Sequence, residues 1–88
     1  MASKRLLKRD VNYVLGDIIE AAYINQLANP KQDPKQTEEI VDEAITTFDE
    51  LIVKINQKDV ENKKQHFRGI EKELETKAQD LVGKINAL

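Results

Sequence analysis

The sequence predicts an all-α fold, an antiparallel up-down-up three-helix bundle, on three observations. The composition, rich in Leu, Ile, Glu, Lys, Ala and Gln, favours helix over strand. Apolar residues recur every third or fourth position along three long stretches. Turn chemistry separates the first two of these, and a lapse in apolar residues separates the last two. With 40% hydrophobic and 34% charged residues the chain is too apolar to be disordered, and its 88 residues are enough for one core and one domain.

The first helix is expected over about 4–28, with Ser3 as N-cap and Asn29-Pro30 as its stop, since Pro30 disfavours helical geometry at Asn29. Leu7, Val11, Val14, Leu15, Ile18, Ile19 and Ala22 share one face of it. The second helix is expected over about 34–57. Asp33 is its N-cap, and Pro34 takes the first helical position, where a missing N–H costs nothing. Gln36 stands where it completes a variant of the capping box. Ile40, Val41, Ala44, Ile45, Phe48, Leu51, Ile52 and Ile55 form its apolar stripe.

The next turn holds neither Gly nor Pro, and Asp59 or Asn62, the latter with Gln65 behind it, is its candidate cap. Between Ile55 and Phe67 the only aliphatic residue is Val60, so the stripe lapses and the chain is expected to reverse near Lys58. The third helix, about 60–87, carries Phe67, Ile70, Leu74, Ala78, Leu81, Val82, Ile85 and Leu88 on one face, with Gly69 and Gly83 on the polar side. A continuous rod from Pro34 onward, dimerising with a second chain, is the alternative architecture.

Catalysis is not expected. The chain has no Cys and one His, and His66 is read as a solvated residue on the polar side of the third helix, without metal-binding partners at suitable spacing. Glu38, Glu39, Asp42, Glu43, Asp49 and Glu50 fan outward along the second helix instead of converging in a dry pocket. No cofactor, metal or small-molecule substrate is expected. No stretch is long and apolar enough to span a bilayer, and the basic opening segment lacks the apolar run of a secretion signal. With cysteine absent, this gives the expectation of a cytoplasmic protein.

Two surface features remain. In an up-down-up bundle one end of the rod collects Lys4, Arg5, Lys8, Arg9, Lys54, Lys58, Lys63, Lys64 and Arg68, opposed by Asp10, Asp59 and Glu61. The other end is acidic, with Asp17, Glu20, Asp33, Glu38, Glu39, Asp42 and Glu43 diluted by Lys31, Lys35, Lys77 and Lys84. Such a basic pole can bind a nucleic acid or another polyanion, although no aromatic platform is left over for stacking bases. The second feature is the outer face of the first helix. Successive residues step about 100° around a helix, which places Leu6, Tyr13, Ile24 and Leu27 opposite Val11 and Ile18, flanked by Asp17 and Glu20. The core does not need them there, and Tyr13, with Tyr23 nearby, is the natural anchor of a contact with a protein partner or a second copy of the chain.

The opening segment Lys4-Arg5-Leu6-Leu7-Lys8-Arg9-Asp10-Val11-Asn12-Tyr13-Val14-Leu15-Gly16-Asp17 resembles the start of a group of short, uncharacterised helical proteins of Bacteroidetes-type bacteria, which begin with a basic LKKDINY-like phrase. The resemblance covers the first helix; elsewhere it extends to length, pattern and loop position. It implies a bacterial cytoplasmic protein and directs interest to Asn12, Tyr13, Gly16 and Asp17, without implying an activity.

Overall fold

The structure, a computed structural model, describes residues 3–88. Three helices, α1 (Lys4–Ala28), α2 (Pro34–Ile55) and α3 (Lys63–Asn86), all pack against one another in a rod of 50 × 18 × 18 Å. The chain reverses twice, so the continuous second rod is excluded. The expected three-helix bundle is the fold.

Local chemistry sets each boundary. The Ser3 hydroxyl accepts from the Leu6 N–H at 3.2 Å, satisfying one of the orphan donors at the start of α1. Asp33 Oδ1 accepts from the Lys35 N–H at 2.9 Å ahead of Pro34. This is a simple cap; Gln36 contributes its backbone N–H to the Asp33 carbonyl. At the second turn Asn62 is the cap, accepting from the Gln65 N–H at 3.1 Å. Asp59 instead takes a left-handed backbone, with φ of 60°, a conformation that short polar side chains tolerate and glycine usually fills. The turn therefore runs from Asn56 to Asn62 and shortens both neighbours: α2 stops at Ile55, not 57, and α3 starts at Lys63, not 60.

The core is one seam of Leu7, Val11, Leu15, Ile18 and Ala22 from α1, Ile40, Val41, Ala44, Leu51 and Ile55 from α2, and Ile70, Leu74, Leu81 and Ile85 from α3. Phe48, Phe67, Ile19, Ile52 and Leu88 are half-buried along its edges. Two residues expected in the stripes lie outside: Ile45 and Val82 are exposed. Each follows a fully buried residue, Ala44 and Leu81, and the step of about 100° carries it past the edge of a buried arc shared with only two neighbouring helices.

Their place is taken in part by polar residues. Thr37 and Thr47 are buried, and the Thr47 hydroxyl donates to the Glu43 carbonyl one turn back at 2.8 Å, so it enters the core without an unmet hydrogen bond. His66 is not the solvated residue its neighbours indicated. It is half-buried, with Nε2 2.6 Å from the Lys54 carbonyl oxygen, and a carbonyl only accepts, so Nε2 carries the proton. That bond ties the first turn of α3 to the last turn of α2.

Ion pairs reinforce the same α2–α3 edge. Lys54 Nζ lies 2.7 Å from Glu73, and Lys84 pairs with Glu43 and Asp80. The Glu43 carboxylate, hydrogen-bonded to the Lys84 ammonium, holds its pKa above the ordinary lysine value. Glu43 is therefore not part of an outward fan of free carboxylates.

Candidate functional site

The outer face of α1 is where the periodicity places it. Because Leu7, Val11, Leu15, Ile18 and Ala22 turn inward, residues half a turn away turn outward. Leu6, Tyr13, Ile24 and Leu27 are 40%, 61%, 58% and 80% exposed. Asp17 and Glu20 are exposed between Tyr13 and Ile24. Tyr23 is also exposed, on the side of the face toward α2. The charges on and beside this face are Arg9 and Asp10 in its first half and Asp17 and Glu20 in its second, with Arg5 on the flank beside Tyr23. Gly16 sits near the midpoint, and a Cβ placed there would meet nothing within 4 Å.

The basic tip forms because the starts of α1 and α3 and the end of α2 share one end of the rod. Lys4, Lys58 and Lys63 line a cleft of about 180 Å³ there, with Asp59, His66 and Phe67. Arg5, Lys8, Arg9, Lys64 and Arg68 are exposed on the first two turns of α1 and α3, outside the cleft lining. Among the described residues the ion pairs of lysine involve Lys54 and Lys84, and none of the cations from Lys4 to Arg9 or from Lys58 to Arg68 lies within ion-pair distance of a carboxylate. Lys54, counted in the basic pole from the sequence, is neutralised by Glu73. Neither α1 nor α3 has an acidic residue in its first turn, where the helix dipole favours one; Lys4, Arg5, Lys63 and Lys64 stand there instead.

The sequence did not single out the polar cluster at the opposite end. The Thr37 hydroxyl donates to Gln26 Oε1 at 2.6 Å, Gln26 Nε2 donates to the Gln32 carbonyl at 3.1 Å, and Gln32 Nε2 donates to the Leu88 carbonyl at 3.1 Å. This chain of bonds holds the first turn and closes that end of the bundle. Its only sequence signal is a Gln and a Thr at positions where an apolar stripe would place a hydrophobe.

Among the described residues no three His, Asp or Glu side chains converge as a metal site, and no helix is long and apolar enough to cross a membrane. Comparison with protein-family models, with curated proteins and with solved structures finds no match to this chain.

Proposed function

We propose that this chain is a non-enzymatic protein-interaction module of the bacterial cytoplasm that engages its partner through the outer face of α1. The observation that carries the reading is that Tyr13, Ile24 and Leu27 are each more than half exposed while the core is complete without them. An exposed tyrosine and aliphatics on a rigid helix are the material of an interface core, with Asp17 and Glu20 as its polar surround. Replacing Tyr13 and Ile24 together with serine leaves far-ultraviolet circular dichroism unchanged and abolishes association in sedimentation. Association that survives both substitutions would overturn the reading.

A second reading, polyanion binding at the basic tip, is favoured by the three lysines that share the cleft without carboxylate partners. Attraction to phosphates releases counterions, so binding of labelled RNA or DNA weakens on the order of tenfold or more for about three phosphate contacts as salt rises about fourfold. Lys4→Gln with Lys58→Gln and Lys63→Gln reduces that slope. Absence of any shift at low salt removes this reading.

A further inference from the structure

We infer that the cleft at the basic tip receives the terminal phosphate of a nucleic-acid strand, held by Lys4, Lys58 and Lys63. This rests on the reading of the tip as a polyanion surface and adds which group of the polyanion enters it. Separate segments of the chain supply the lysines: Lys4 opens α1, Lys58 stands in the second turn, and Lys63 opens α3. Among the described residues no carboxylate lies within ion-pair distance of any of them. Each ammonium therefore keeps its charge and its N–H donors for a ligand. A terminal phosphate presents three acceptor oxygens and a charge of about −1.5 to −2 at pH 7. A phosphodiester inside a strand carries less charge and offers fewer free oxygens, because a second ester bond occupies one of them. Three unneutralised ammonium groups around one small space match the terminal group better than the internal one.

The size and walls of the cleft point the same way. Its volume of about 180 Å³ is below the roughly 300–1,000 Å³ of sites that enclose whole small molecules, so it suits a single group at the end of a longer ligand. Val60 and Phe67, both half-buried, form an apolar part of the lining, which weakens the screening of the ammonium charges beside it. The bond from His66 to the Lys54 carbonyl ties the α3 wall of the cleft to the end of α2. Asp59 is the one carboxylate in the lining, and it offsets part of the lysine charge. Beyond the cleft, Arg5, Lys8, Arg9, Lys64 and Arg68 are exposed and available to the phosphates that follow the terminal one. These outlying cations favour a nucleic-acid strand over a phosphorylated protein segment, whose backbone repeats no such charge. Recognition of an end and its backbone needs no stacked base, which agrees with a chain that lacks tryptophan.

The test compares short single strands of one sequence that carry either a phosphate or a hydroxyl at one end and a fluorescent label at the other. Anisotropy at low salt is expected to show the phosphorylated strand binding about tenfold tighter. Lys4→Gln with Lys58→Gln and Lys63→Gln removes this preference, whereas Arg5→Gln with Arg9→Gln weakens both strands alike. Asp59→Asn keeps a residue that tolerates the left-handed backbone, removes the opposing charge and tightens the phosphorylated strand by about threefold. In nuclear magnetic resonance spectra methyl phosphate shifts the amide signals of Lys58, Lys63 and His66, and dimethyl phosphate at the same ionic strength does not. Equal binding of the two strands, or equal shifts from the two esters, overturns the inference while leaving the tip as a polyanion surface. A preference that survives the triple lysine replacement overturns the cleft as its seat. A phosphoserine peptide that binds as tightly as the phosphorylated strand overturns the nucleic-acid source. Absence of binding by either strand overturns both the inference and the reading on which it rests.

Discussion

Leu51→Ala lowers the stability of the bundle by about 3 kcal/mol, within the range of about 2–5 kcal/mol found when a buried leucine is truncated. Leu51 has no exposed surface and lies in the seam facing both other helices. Truncating it forfeits the transfer free energy of the lost carbons and leaves a cavity that a close-packed seam fills only partly. For a domain of this size the loss corresponds to a fall in thermal midpoint on the order of 10–20 °C. The same chemical change on the other side of the molecule is the control. Leu27 is 80% exposed, so Leu27→Ala is expected to stay within about 0.5 kcal/mol of the parent chain. Urea titrations followed by circular dichroism give both numbers. Similar losses at the two positions would contradict the assignment of inner and outer faces on which the interaction surface depends.

The sequence makes some of these features legible and hides others, and the difference has physical causes. The inner and outer faces of α1 follow from apolar spacing alone, because a helix of 25 residues repeats its period often enough to fix its orientation. The start of α2 is equally plain in Asp33-Pro34, a cap and a proline that allow few other structures. The second turn is less plain. Asp59 and Asn62 are both good caps in isolation, and only the packing of Phe67 and the bond from His66 to the Lys54 carbonyl select Asn62. His66 reads as solvated from its charged and polar neighbours because its partner is a backbone oxygen on another helix, which no residue identity announces. Ile45 and Val82 were misplaced for the opposite reason: their identity is apolar, but the width of the buried arc is set by where the neighbouring helices lie.

Gln26→Leu is expected to destabilise the chain by about 1–3 kcal/mol, because it strands the buried Thr37 hydroxyl and the Gln32 carbonyl together. Thr37 is 2% exposed, so water does not easily replace the lost acceptor. This end of the bundle already holds two buried acceptors, Asn25 Oδ1 and Gln32 Oε1, without a partner in the protein, and a further unmet group adds to that burden. Thr37→Val has a smaller effect, under about 1 kcal/mol, since it leaves only one oxygen, on a half-buried Gln26, without its donor. The double variant is the decisive measurement. When both partners become apolar, no hydroxyl is left seeking an acceptor, and the part of the Gln26→Leu loss that comes from Thr37 is recovered while the Gln32 carbonyl stays without its donor, giving a coupling of about 1 kcal/mol between the two sites. Strict additivity would mean that the Thr37–Gln26 hydrogen bond contributes nothing and that Gln26 acts through its bond to the Gln32 carbonyl alone. A strong coupling makes Gln26 the residue that fixes how the end of α1 meets the start of α2. It therefore also sets how rigidly Ile24 and Leu27, within the same turn of helix, are presented to a partner.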